Sequence, residues 1–181
     1  MRPDGFCKVS DILSMRQFSR WNIKDVEVVV RDNEKQRFTL AEENGIAWIR
    51  ANQGHSLRQV DEELLLSAVT VPQDIPLCVH GTYRKFWEAI RADGLCRMAR
   101  NHIHFMPGEP RSGEVISGMR GNCEILIYLD VAKAMAAGAQ FFRSDNNVIL
   151  TAGLGERGIL APEYFQQVVD ISTGKVIFTN T

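Results

Sequence analysis

Two rhythms of apolar and polar positions run along the chain. The first part reads helix, helix, hairpin. Asp4-Gly5 before Phe6 reads as a turn leading into a short strand, as if the chain opened inside a domain. Ser10 suits the N-cap of a helix carrying Ile12, Leu13 and Met15. Asn22 suits the N-cap of a second helix, with Asp25 at its third position and Val26, Val29 and Val30 apolar. Arg37-Phe38-Thr39-Leu40 reads as a strand, Asn44-Gly45 as a hairpin turn, and Ile46-Ala47-Trp48-Ile49 as the returning strand. Residues 57–76 form a connector, with the charged turn Asp61-Glu62-Glu63, an apolar run to Val71, and Pro72 and Pro76. A boundary there predicts domains at 1–71 and 77–172.

The second rhythm is of short strands. Leu77–Val79 predicts one. Tyr83–Ala92 has helical spacing through Phe86, Trp87 and Ile90, with Gly94 as the stop. His102-Ile103-His104-Phe105 is a short strand and Pro107–Gly113 a loop. Glu124–Asp130 is the strongest strand, followed by a short helix from Val131 to Ala137 closed by Gly138. Phe141-Phe142 and Val148–Thr151 are strands around the turn Asp145-Asn146-Asn147. Many short strands and few helices predict an α+β fold with a strongly bent, mostly antiparallel sheet. Helix, helix and hairpin in the first part resemble a winged-helix unit, a pattern shared by nucleic-acid binders and by small packed modules.

Composition narrows the class. The chain has 181 residues, 45% hydrophobic and 24% charged, with a formal net charge of −1. These are ordinary values for a globular protein, so any basic footprint for nucleic acid must be local. Cys7, Cys78, Cys96 and Cys123 lie far apart, with no Cys-x-x-Cys pair to hold zinc. No apolar stretch reaches membrane-spanning length, and the polar, turn-like opening is no signal peptide. A monomer in a reducing intracellular compartment, cytoplasmic or nuclear, is the expectation.

The chemistry concentrates in a few blocks. Arg50-Ala51-Asn52-Gln53-Gly54-His55-Ser56 packs five hydrogen-bonding side chains and a glycine into seven positions. Such density beside apolar strands calls for a partner, since buried polar groups need one. His80-Gly81-Thr82 puts a glycine between a histidine and a hydroxyl, where backbone can approach a planar polar ligand. Together the two blocks suggest a site for phosphate and a nucleotide. All four histidines, His55, His80, His102 and His104, fall in such blocks, although each alone is as readily structural. His102 and His104, two apart on a strand, share a face; without a third ligand stronger than Glu109 or Glu114, no metal site is expected. Arg50 and Arg120, the latter in Ser117-Gly118-Met119-Arg120-Gly121, can offer planar forks to phosphate oxygens, although a surface position is the commoner fate of an arginine. Neither a nucleophile elbow nor a P-loop is present, and Cys78 is expected in the core or on the face away from His80. Catalysis here would position reactants and stabilise charge.

The heptapeptide, His80-Gly81-Thr82, Arg100-Asn101-His102-Ile103-His104-Phe105 and Ser117-Gly118-Met119-Arg120 resemble, in this order, the RNA 2′-phosphotransferase family. The resemblance runs from Asp4-Gly5-Phe6 to about Tyr164-Phe165. It implies an N-terminal winged-helix lobe and a C-terminal ADP-ribosyltransferase-like lobe. It also implies removal of an internal RNA 2′-phosphate, as at a tRNA splice junction, with NAD⁺ as co-substrate and no metal. The products would be 2′-hydroxyl RNA, nicotinamide and ADP-ribose 1″,2″-cyclic phosphate. By the same resemblance Arg50 and Arg120 are catalytic and grip the 2′-phosphate. His80, Gly81, Thr82, Arg100, His104 and Ser117 hold NAD⁺. The family pattern also has an upstream Leu-Arg-His that supplies an arginine and a histidine. The sequence as given opens at Met1-Arg2-Pro3-Asp4-Gly5, so a weakened catalytic set with retained NAD⁺ binding is expected of it. Two other outcomes stay open at this point: a mono-ADP-ribosyltransferase acting on phosphorylated nucleic-acid ends or protein, and a non-catalytic module binding NAD⁺, ADP-ribose or RNA.

Overall fold

The first sheet grows from two tight turns. The computed structural model describes residues 1–54, 60–61, 64–109 and 122–180. Gly5, at φ 78°, turns the chain so that Phe6 is buried and strand β1 (Cys7–Lys8) pairs antiparallel with Trp48 and Ile49. Helix α1 (Val9–Leu13) follows at once. Ser10 is therefore inside it and not its N-cap. Lys8 holds the cap position in extended conformation with no side-chain cap, because its pairing with Trp48 carries extended backbone up to the first helical residue. Helix α2 (Ile23–Arg31) starts as expected: Asn22 Oδ1 accepts from the Lys24 N–H at 2.9 Å, and the Asn22 N–H donates to Asp25 Oδ2 at 2.8 Å. Strands β2 (Phe38–Glu43) and β3 (Ile46–Ala51) pair from Phe38↔Ala51 to Glu43↔Ile46. Between them Asn44 (φ 53°) and Gly45 (φ 74°) take the two left-handed positions of a type I′ turn.

Strand β4 (Leu66–Val69) lies in the connector, yet it hydrogen-bonds to the second part of the molecule. There the chain forms β5 (Val79–Thr82), α3 (Arg84–Asp93), β6 (Leu95–Cys96), β7 (Ile103–Phe105), β8 (Ile125–Leu129) and α4 (Val131–Ala136). These are followed by β9 (Phe141–Ser144), β10 (Ile149–Thr151), β11 (Ile159–Leu160), β12 (Phe165–Asp170) and β13 (Lys175–Thr179). Two four-stranded antiparallel sheets result, in the orders β4-β9-β10-β7 and β13-β12-β8-β5, with a small β11-β6 pair. β5 begins two residues later than the apolar run Leu77–Val79 suggests, so His80, Gly81 and Thr82 are strand residues. β11, β12 and β13 are elements the sequence pattern did not reveal.

Every residue of β8 is buried, which accounts for the strength of its apolar run. Ile125, Ile127 and Leu129 pack in the main core with Phe105, Phe141 and Phe165. Leu126 and Tyr128 turn to a smaller cluster with Val79 and Met106. α3 buries Trp87 and stops at Gly94, at φ 91°, where a Cβ would stand 2.4 Å from the Leu160 carbonyl oxygen. Asp130 caps α4 through its Oδ1 and the Lys133 N–H at 2.9 Å. The molecule is thus α+β, with antiparallel sheets and few helices, as expected. Among the described residues no helix is long and apolar enough to cross a membrane.

Candidate active site at the meeting of two sheet edges

β5 and β7 are the edge strands that face each other across the two large sheets. They touch through one bridge: the Val79 N–H donates to the Met106 carbonyl at 2.9 Å, and the Met106 N–H to the Val79 carbonyl at 2.8 Å. The ladder stops there. At the next position the imidazole of His80 takes over, its Nδ1–H donating to the His104 carbonyl at 2.9 Å. On an antiparallel strand alternate residues direct their backbone groups to the same side. Gly81 therefore turns its N–H and C=O to the side where Val79 binds Met106. Among the described residues neither group of Gly81 has a partner there. A donor and an acceptor side by side on open backbone can receive a planar amide.

The two histidines beside this edge are held neutral. Burial lowers the pKa of His80, opposed by its bond to the His104 carbonyl. His104 is 8% exposed; burial, then the nearby charges of Arg100 and His102, lowers its pKa to about 4. Its Nε2 is buried without a hydrogen-bond partner among the described residues. In the neutral ring such a nitrogen is a donor or an acceptor waiting for a ligand atom. His102 shares the face of His104, as the spacing requires, and sets its ring edge-on to Phe142 at 5.9 Å.

The heptapeptide arrives at this same atom. Gly54, at φ 82°, passes so close that a Cβ on it would sit 3.6 Å from His104 Nε2. Upstream, Asn52 is 4% exposed and stitched to the hairpin: its Nδ2 donates to the Gln36 carbonyl at 2.7 Å, and its Oδ1 accepts from the Thr39 hydroxyl at 2.5 Å. Arg50, on β3, has a mostly buried side chain. Its guanidinium lies 4.9 Å from the centre of the Phe6 ring, and one Nη2 donates to Asp145 Oδ2 at 2.6 Å. Its Nε has no partner among the described residues. A cation held with donors to spare is an anion receptor.

Thr82 is buried at the end of β5, and Arg100 stands in an exposed turn close enough to His104 for its charge to be felt. Arg120, Ser117, His55 and Ser56 lie outside the described residues. Cys78 is 1% exposed in the main core, and burial pushes its thiol well up, which removes it as a nucleophile. One site neighbour, Asp145, escaped sequence reasoning, and another, Glu109, was weighed there only as a weak metal ligand. Asp145 was read only as a turn residue, and no local signal ties it to Arg50. Glu109 accepts from the Tyr128 hydroxyl at 2.9 Å on the face of β8 shared with Val79. Burial, with the bond and charge of Glu109, pushes that hydroxyl up to about 12.

Residues 1–153 match the family described as RNA 2′-phosphotransferase, Tpt1 / KptA family. The chain belongs to this family. It is 49% identical over 170 residues to tRNA 2′-phosphotransferase 1 of Danio rerio, covering 92% of this chain and 75% of the relative. It is 42% identical over 174 residues to tRNA 2′-phosphotransferase 1 of Homo sapiens, covering 94% and 68%. Identity to the putative tRNA 2′-phosphotransferase of Schizosaccharomyces pombe is 42% over 177 residues, covering 98% of this chain and 47% of that one. The arrangement of Arg50, Gly54, His80, Gly81 and His104 is the candidate site of this family member.

Proposed function

We propose that this chain removes an internal 2′-phosphate from RNA, tRNA in the first place, using NAD⁺ as co-substrate. The observation that carries the reading is the convergence at His104 of both polar blocks: Gly54 of the heptapeptide against its Nε2, and His80 against its carbonyl. The residues fit the group. Without partners among the described residues, the Gly81 backbone matches a carboxamide and the His104 Nε2 a polar ligand atom, and Arg50 matches a phosphate. When bound, NAD⁺ supplies an electrophilic ribose carbon and a nicotinamide leaving group.

The chain's own work is positioning and charge. Gly81 and Thr82 orient the cofactor's amide end. His80, its Nδ1–H committed to the His104 carbonyl, keeps one ring orientation and tautomer. Arg50 aligns the 2′-phosphate and neutralises its charge, a role it shares with Arg120, with Ser117 and Arg100 as cofactor neighbours. Residues 1–71 are read as a winged-helix lobe and 77–172 as an ADP-ribosyltransferase-like lobe. Support comes from the helix, helix and hairpin order and from the two four-stranded antiparallel sheets bridged at Val79 and Met106.

The test is to incubate the chain with NAD⁺ and an RNA oligonucleotide carrying one internal 2′-phosphate. Expected are equal amounts of nicotinamide, 2′-hydroxyl RNA and ADP-ribose 1″,2″-cyclic phosphate. A stable ADP-ribosyl adduct on the RNA overturns the reading in favour of mono-ADP-ribosylation. NAD⁺ binding without turnover overturns it in favour of a binding module. In an active protein, Arg50→Ala is expected to lower turnover on the order of 100-fold with the fold intact, as loss of a charge-stabilising donor does.

A further inference from the structure

Outside the cleft, a knot of arginines stands on the flank of the His104 wall. Residues 97–100 form a tight turn: the Arg100 N–H donates to the Arg97 carbonyl at 3.2 Å, and Arg97 Nη1 donates back to the Arg100 carbonyl at 3.0 Å. The Arg97 N–H also donates to the Gly158 carbonyl at 3.3 Å. The Arg97 stem lies so close over Gly158 that a Cβ there would meet its Nε at 2.5 Å. The Cys96 thiol lies 3.7 Å from the Arg157 carbonyl. Arg97, Arg100 and Arg157 are thereby brought to one patch by two loops. At its centre Met98 is 80% exposed and takes φ 58°, a left-handed conformation that methionine disfavours and that no core packing repays.

None of these three arginines forms an ion pair among the described residues, although Glu156 is adjacent in sequence. Arg2, Arg31, Arg50 and Arg84 do, while Arg16, Arg20, Arg37, Arg91 and Arg143 likewise form none among the described residues; what sets the three apart is that two loops bring them together. In a chain of net charge −1, three arginines without a counter-charge are a local positive field. The field borders the site, because the 97–100 turn ends three residues before β7 (Ile103–Phe105), the strand that carries His104. We infer that Arg97 and Arg157, around the exposed Met98 and beside Arg100 on the cofactor side, contact the phosphodiester backbone of the RNA strand flanking the 2′-phosphate. Planar guanidinium forks suit phosphate oxygens, and a protruding apolar side chain suits the face of an unstacked base. The assignment rests on the activity proposed above and adds a substrate-length preference to it.

The experiment compares Arg157→Gln, whose side chain is exposed, and the double variant Arg97→Gln/Arg157→Gln with the unchanged chain. The probes are a single-stranded RNA of about 12 nucleotides carrying an internal 2′-phosphate, and the corresponding 2′-phosphorylated dinucleotide. Affinity for the longer RNA, measured by fluorescence anisotropy against salt, should fall several-fold in Arg157→Gln and further in the double variant. The slope of log affinity against log salt should drop by about 0.7 per arginine removed. Dinucleotide turnover and NAD⁺ affinity should stay unchanged in Arg157→Gln. An unchanged slope in Arg157→Gln, or an equal loss on both substrates, overturns the contact. Failure of the unchanged chain to turn over the dinucleotide counts against the activity itself, while the salt slope on the longer RNA still decides the patch.

Discussion

Arg50 is not idle while it waits for a phosphate. Its 2.6 Å pair with Asp145 fills part of the fork that an anion would use. Asp145 is half exposed, and such pairs contribute about 0.2–1 kcal/mol. Asp145→Asn is therefore expected to lower KM for 2′-phosphorylated RNA by roughly two- to fivefold, with little change in kcat. A raised KM in steady-state assays would make Asp145 an aid to Arg50 and not its competitor. Gly54 answers a different demand. At φ 82° an alanine costs about 1 kcal/mol, and its methyl group would occupy the space in front of His104 Nε2. Gly54→Ala should lower Tm slightly and weaken NAD⁺ binding far more, as calorimetry would show. The reason for a glycine within the heptapeptide is thus visible only once β7 is beside it. The sequence showed a density of polar side chains; it could not show which atom they surround.

At the level of elements, locally determined features were legible and long-range ones were not. The Asn22 capping box and the Asn44-Gly45 turn need only neighbours in sequence, and both appear as read. Ser10 misled because a pairing with the distant Trp48 decides where α1 starts. β12 was hidden by its own geometry. A register shift between Phe165 and Gln167 breaks the alternation, and the strand ends in a buried Asp170 that Arg84 meets at 2.5 Å. The turn between β9 and β10 also does more than its sequence says. Asn146, 2% exposed, donates to the Lys35 carbonyl at 3.0 Å and accepts from the Ser144 hydroxyl at 2.8 Å. It ties the N-terminal hairpin region to the second sheet. Asn146→Ala should cost about 1–3 kcal/mol in urea unfolding, the range for buried hydrogen-bonding groups that lose a partner.

For the whole molecule, the buried His104 makes stability depend on pH. Its folded pKa of about 4 lies below the ordinary 6.5, so between these values the unfolded chain binds more protons. The stabilisation is complete above pH 6.5 and is lost as pH falls toward 4, by about 3 kcal/mol at most. His104→Gln should flatten that part of the stability profile in chemical denaturation at stepped pH. Asp170 acts further down the scale: the Ser172 hydrogen bond and the Arg84 charge lower its pKa, so its contribution is lost only at more acidic pH. The antiparallel α+β class and both polar blocks were readable from the sequence. The joining of the two blocks was not, since it depends on two sheets meeting at strand edges.

That meeting leaves a mark on the exchange of amide protons with solvent. Val79 and Met106 give their N–H groups to each other's carbonyls, so both are shielded until the seam opens. Two residues along, the Gly81 N–H has no such shield among the described residues. In deuterated buffer it should exchange ahead of its neighbours on β5, and saturating NAD⁺ should slow it selectively. An exchange rate at Gly81 indifferent to NAD⁺ would move the cofactor's amide to another edge.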